Sequence, residues 1–180
     1  MGAWLERKLD RKVQKEILNF CANKWRKSRI VMLSRWNKNG KLNRFDCKIY
    51  YSDGEVGYGQ VNGRNYPMGH PLIMRQGYMV GKNRFLAGRK LESQGFVVLQ
   101  IVGWEDGNIQ CFCRDELDGV KTFDLGGRTD RGYEKDIETC AYLDMKQFKY
   151  LGRSDRVRQA ISERKEASRK RKSNEGIDYS

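Results

Sequence analysis

FVVLQIVGWEDGNIQCFC, residues 96–113, is the stretch whose reading decides the fold. An apolar, β-branched run, Phe96–Trp104, stops at Glu105-Asp106-Gly107, and Asn108–Cys113 follows at once. Asp-Gly between two β-rich runs is hairpin chemistry, because Gly accepts the positive φ that tight turns need. A second turn at Asp118-Gly119 introduces Val120–Leu125, closed by Gly126-Gly127. Three short strands joined by tight turns make an antiparallel meander.

Upstream, Phe45–Tyr51 is rich in β-formers and ends at Ser52-Asp53-Gly54. Glu55–Val61 forms a Gly-rich second strand stopping at Asn62-Gly63, a strong hairpin signal. With the meander this gives about five strands, enough for a small antiparallel barrel or a bent sheet. Residues 64–95 read as a long loop with one or two short strands: Pro67 and Pro71 bracket His70, and Gly recurs at 69, 77, 81 and 88.

Helices flank the strands. Leu5, Leu9, Val13, Ile17, Cys21 and Trp25 recur every four residues, which predicts an amphipathic helix over Ala3–Lys27. Its other face carries Arg7, Lys8, Arg11, Lys12, Lys15 and Lys24. A second helix is expected over Ile137–Leu151. Ser154 is a candidate N-cap for a basic helical arm running to about Lys172. The arm's apolar stripe, Val157, Ala160, Ile161 and Ala167, is too narrow to pack tightly, so the arm is expected to order on a partner. The fold class is therefore α+β. Residues 1–152 form a single domain (basic helical region 1–44, β-rich core 45–127, helix 128–152), with a basic, partly disordered arm over 153–180.

Charge points to the partner. Thirty-six Lys and Arg against 23 Asp and Glu leave +13 over 180 residues. The excess is uneven: +10 over residues 1–44, +3 over 45–89, −4 over 90–150 and +4 over 151–180. Self-repulsion at that charge is relieved by a polyanion, so nucleic acid, DNA or RNA, is the expected partner. Expected phosphate contacts are Lys12, Arg26, Lys27, Arg29, Arg35, Lys38, Lys41 and Arg44, with Arg169, Lys170, Arg171 and Lys172 as an auxiliary clamp. Trp36, set among charged and polar neighbours, is the candidate for stacking on an unpaired base.

Several classes are set aside. No apolar run approaches the roughly 20 residues of a membrane span, and Trp4-Leu5 is followed by Glu6-Arg7-Lys8 rather than a signal core. Five cysteines, an odd number in mostly apolar runs, suit a reducing intracellular compartment. Cys111 and Cys113 lack the zinc-ligand spacing, and His70 is the single histidine. The Gly-rich stretches Gly54–Gly59 and Gly77–Gly81 lack the Lys-Ser/Thr of a phosphate loop. No catalytic residue, metal or cofactor is expected.

The stretch from Ile109 to Arg128 resembles the closing strands of WYL-type domains, small SH3-like β-barrels. Lys121, Phe123, Leu125 and Arg128 fall roughly on the family's Arg-x-Phe-x-Leu-x-Arg pattern, although an extra Gly displaces the last position and the Trp-Tyr-Leu signature is missing. The resemblance implies a regulatory module that binds nucleic acid or nucleotides.

The leading reading is thus a non-enzymatic nucleic-acid-binding accessory or regulatory protein. The alternative is an interaction module or inhibitor docking on an acidic protein surface, in the manner of a virus- or phage-encoded factor. A metal-dependent nuclease comes third. Its candidate residues are Asp46 with Lys48, Asp144 with Lys146, and the acids Asp115, Glu116, Asp118, Asp124 and Asp130.

Overall fold

Two antiparallel hairpins share one sheet in this chain because a longer crossover joins them side by side. The structure, a computed structural model, describes residues 2–34, 44–113, 120–127 and 137–174. Helix α1 (Gly2–Lys24) leads to strands β1 (Arg29–Met32), β2 (Cys47–Tyr50) and β3 (Val56–Gly63). Helix α2 (Pro71–Gln76), β4 (Tyr78–Gly81) and α3 (Lys82–Glu92) follow. The chain continues through β5 (Val97–Gly103), β6 (Asn108–Cys113), β7 (Val120–Gly127), β8 (Ile137–Leu143) and β9 (Lys149–Arg153) to α4 (Asp155–Asn174).

The main sheet has the order β1-β2-β3-β5-β6-β9, and a smaller one has the order β4-β8-β7. β2 and β3 pair antiparallel, with Cys47 opposite Gly59, as do β5 and β6, with Leu99 opposite Cys113. Both hairpins match the sequence reading. β3 and β5 run parallel, Gln60 facing Gln100. Parallel neighbours need a crossover of a dozen or more residues. The α2-β4-α3 segment supplies it, in place of the expected loop over 64–95.

That crossover also corrects the reading of Asn62-Gly63 as a turn, since both residues continue β3. Gly63 lies under α1, where an added Cβ would stand 2.4 Å from Val13 Cγ1. Its role is close helix–sheet approach, not reversal.

The third strand of the meander also goes elsewhere. Val120–Gly127 pairs with Ile137–Leu143 in the small sheet, not with Asn108–Cys113. The expected helix over 137–151 is instead β8, a 3-10 turn at Met145–Gln147 capped by Asp144, and β9. Pairing on both sides of β8, with β4 and β7, holds it as a strand. The architecture is α+β, with a bent mixed sheet and no closed barrel among the described residues.

Two cores sandwich the main sheet. On one face Val13, Ile17, Leu18 and Cys21 of α1 and Val157, Ala160 and Ile161 of α4 cover Ile49, Val61, Leu99, Ile101 and Ile109. The narrow stripe of α4 does pack: Val157 and Ile161 are fully buried, each contributing about 1.5–3 kcal/mol. On the other face Tyr78, Phe85, Trp104, Phe112, Leu143 and Phe148 join the small sheet and α3 to β5 and β6. No helix is long and apolar enough to cross a membrane among the described residues.

Candidate active site at the head of the central strands

The alternation of β3 decides what lies at the sheet's centre. Gly59, Val61 and Gly63 turn towards α1 and α4, so Tyr58, Gln60 and Asn62 turn to the opposite face. The register of β2 and β3 ends at Cys47–Gly59, next to Asp46, and Gln60 on β3 faces Gln100 on β5. Gln60 and Gln100 therefore face each other in the ladder, while Asp46 stands just outside it, its N–H donating to the Gly59 carbonyl at 2.8 Å.

Asp46 sits in a bend just before β2 and is partly buried. Its carboxylate takes the place of a strand partner, Oδ2 accepting the Val61 N–H at 2.8 Å. Oδ1 accepts from Gln14 Nε2 of α1 at 3.0 Å, and the same nitrogen donates to the Val61 carbonyl. Arg11 holds Gln14 in turn, donating to its Oε1 at 3.2 Å. Burial pushes the Asp46 carboxyl above its usual pKa. The Val61 N–H, the positive charges of Arg84 and Arg11, and the Gln14 hydrogen bond oppose that shift.

Gln60 and Gln100 are almost wholly buried, the one pair of polar side chains in the described interior. Gln60 Nε2 donates to the Arg44 carbonyl and Gln100 Nε2 to the Gln60 carbonyl. The buried Gln100 Oε1 has no hydrogen-bond partner. An unpaired buried carbonyl costs on the order of 1–3 kcal/mol, so it marks a place for a ligand or water.

Among the described residues no three His, Cys, Asp or Glu side chains are grouped to hold a metal ion. The site offers one carboxylate, that of Asp46. That does not fit a zinc cage. It does fit magnesium, which is commonly held by one or two carboxylates with substrate phosphates completing its shell.

The expected site residues divide between two ends of α1. Its pairing with α4 is antiparallel, since Asp10 meets Arg164 while Phe20 lies against Gly152. Arg169 and Lys170 therefore lie near the start of α1, and Arg26, Lys27 and Arg29 at its far end. Acids temper the helical cations: Lys12 pairs with Glu163, Lys165 with Glu105 and Lys170 with Glu166. Arg171 and Lys172 belong to the last turns of α4. Arg44 is exposed beside Gln60, and Arg29 lies on β1 over the Tyr50 ring. Arg35, Trp36, Lys38 and Lys41 lie outside the described residues, as do Asp115, Glu116, Asp118 and Asp130.

Asp144 serves as a cap, accepting from the Lys146 N–H, while Met145 between them is buried. Lys48 turns to the face of Tyr50 and Tyr58, away from the interactions that hold the Asp46 carboxylate. Sequence reasoning missed Gln14, Gln60, Gln100 and Arg84. Glutamines carry no motif: helix packing brings Gln14 to Asp46, and strand register brings Gln60 to Gln100.

An αβββ unit crossing over through helices to a parallel strand, with a partly buried carboxylate where β2 leaves β3, defines an α+β protein with an acid-centred site at its central strands. The family model described as "Phage putative PDDEXK endonuclease" matches residues 4–151, and the chain belongs to that family. No curated protein and no solved structure matches it significantly. The family corrects the resemblance to WYL-type SH3-like domains. The physical reason is that Ile109–Cys113 and Val120–Gly127 belong to different sheets, so they close no barrel.

Proposed function

We propose that the chain cleaves nucleic-acid phosphodiesters, with its reaction centred on Asp46. The observation that carries this is a partly buried carboxylate, held by the Val61 N–H and approached by Arg84 and Arg11, in a member of an endonuclease family. Hydrolysis forms a P–O bond from water and breaks the bond to the leaving sugar oxygen. The water gives up a proton and the leaving oxygen gains one. Arg84 and Arg11 place positive charge where the phosphoryl oxygens accumulate negative charge. Asp46 would be the carboxylate ligand of a divalent cation, with substrate phosphates completing its shell, and the cation would supply further charge stabilisation and an acidified water.

A second reading has its own observation. The family name includes the residue letters D, E, X and K, whereas the strand facing Asp46 carries Gln60-Val61-Asn62. Amides there favour a protein that holds nucleic acid without cutting it, as the composition suggests. Incubation with duplex DNA, single-stranded DNA and RNA, with Mg²⁺ or Mn²⁺ and with EDTA, decides between them. Cleavage that needs the cation and is lost in Asp46→Asn supports the nuclease. Binding without cleavage of any substrate supports the second reading and overturns the first.

A further inference from the structure

The half of the sheet face beyond α3 has a composition that core packing does not explain. Helix α3 lies over β5 and against β4 and β8. β1 and β2 extend past it, and their outward residues on this face are Arg29, Val31, Lys48 and Tyr50, joined by Tyr58 of β3. The register makes them neighbours, with Arg29 opposite Tyr50, Val31 opposite Lys48 and Lys48 opposite Tyr58. Val31 is 38% exposed, so no described element closes this face.

The cations here are set against rings rather than acids. The Arg29 guanidinium lies 4.7 Å from the Tyr50 ring centre, and Lys48 Nζ lies 5.0 Å from Tyr50 and 5.6 Å from Tyr58. Among the described residues no carboxylate pairs with Arg29 or Lys48, in contrast to the paired cations of α1 and α4. Behind this front row Tyr58 touches Phe45 and Phe96, at 5.6 and 5.4 Å, which fixes its ring. Phe45, which Tyr58 touches, directly precedes Asp46 in the chain, so the aromatic row runs up to the segment that carries the Asp46 site.

We infer that this face of β1, β2 and β3 is a platform for an unpaired stretch of nucleic acid entering the Asp46 site. The inference rests on the reading of that site as one that handles nucleic acid. Bases in a duplex are stacked on one another and leave an aromatic sheet face without a partner. Unpaired bases stack on such rings and on Arg, while Lys beside them takes the phosphates. Positive charge at the rings, without an acid partner among the described residues, favours a polyanion with flat apolar faces over an acidic protein surface.

The test is fluorescence anisotropy in EDTA, which keeps the strand intact, using oligo-dT and oligo-U of about 15 nucleotides and a duplex of equal length. Wild type should hold one or both single strands more tightly than the duplex, and the two oligomers distinguish DNA from RNA. Tyr50→Leu should weaken single-strand binding by about 5- to 150-fold, the loss of one stacked base, with little change for duplex. Tyr50→Phe should bind as wild type. Lys48→Gln should lower the slope of log affinity against log salt by about 0.7, one phosphate contact, and keeps the test decisive if Tyr50→Leu does not fold. Equal losses for single strand and duplex, or no loss in either variant, would overturn the platform. Loss of cleavage in Asp46→Asn with unchanged binding in Tyr50→Leu overturns the platform alone. Single-strand preference without cleavage overturns the nuclease alone.

Discussion

Replacing Asp46 by Asn separates what the carboxylate does for folding from what it does for chemistry. The carboxylate accepts two hydrogen bonds, from the Val61 N–H and Gln14 Nε2. An Asn side chain keeps one acceptor and turns an amide nitrogen towards the other donor. Gln14 cannot readily flip to compensate, because Nε2 also donates to the Val61 carbonyl and Oε1 accepts from Arg11. An unpaired buried donor costs about 1–3 kcal/mol, and relief from burying a charge offsets part of it. The expected net loss is about 1–2 kcal/mol, or about 2–8 °C in Tm for a domain of this size. The pH dependence has a definite sign. Burial raises the folded-state pKa of Asp46 above 3.8, so its penalty is fully present at neutral pH and fades as pH falls through the folded value. The amide of the variant does not titrate, so wild type should gain on it between neutral pH and about pH 4. Thermal melting of both proteins at a series of pH values checks this. An unchanged Tm at pH 7, or a gap that narrows on acidification, would refute the assignment of Asp46 as a desolvated, doubly bonded carboxylate.

Ile161→Ala should destabilise by about 2–5 kcal/mol, measured by urea unfolding, because Ile161 is fully buried between α4 and the sheet; a loss below about 0.5 kcal/mol would mean that α4 is not docked. Gly77→Ala should lower Tm strongly, since Gly77 has φ +98° and an added Cβ would lie 2.6 Å from the Leu143 carbonyl oxygen. In native protein at pH 8, a thiol reagent should leave Cys21 and Cys47 unmodified until urea is added. Both are buried, and burial pushes each thiol up to about 12.

The parts of the fold legible in the sequence were those set by local chemistry. The four-residue period of α1 and the Asp-Gly turns at 53–54 and 106–107 each have a local physical cause, and both hairpins formed in register. What failed was non-local. Lys82–Glu92 carries few apolar residues and two flanking or internal glycines, yet it is helical because Phe85 and buried Gly88 pack onto the sheet. The helix expected over Ile137–Leu151 gives way to a strand with partners on both sides, β4 and β7. The short stripe of α4 suffices because α1 and the sheet already provide an apolar trough. The same limit hid the site. Asp46 was visible as an acid two residues from Lys48, but the groups that hold its carboxylate are 32 and 15 positions away in sequence, at Gln14 and the Val61 N–H. Amide side chains become chemically informative only once strands bring them together.

Direct measurement of divalent-cation-dependent cleavage by wild type, Asp46→Asn and Gln60→Ala, on DNA and RNA in single- and double-stranded form, bears most closely on the central claim. The expected result is cation-dependent cleavage of at least one substrate, abolished by Asp46→Asn and strongly reduced by Gln60→Ala, with nucleic-acid binding kept in both. Cleavage that persists unchanged in Asp46→Asn would contradict the claim.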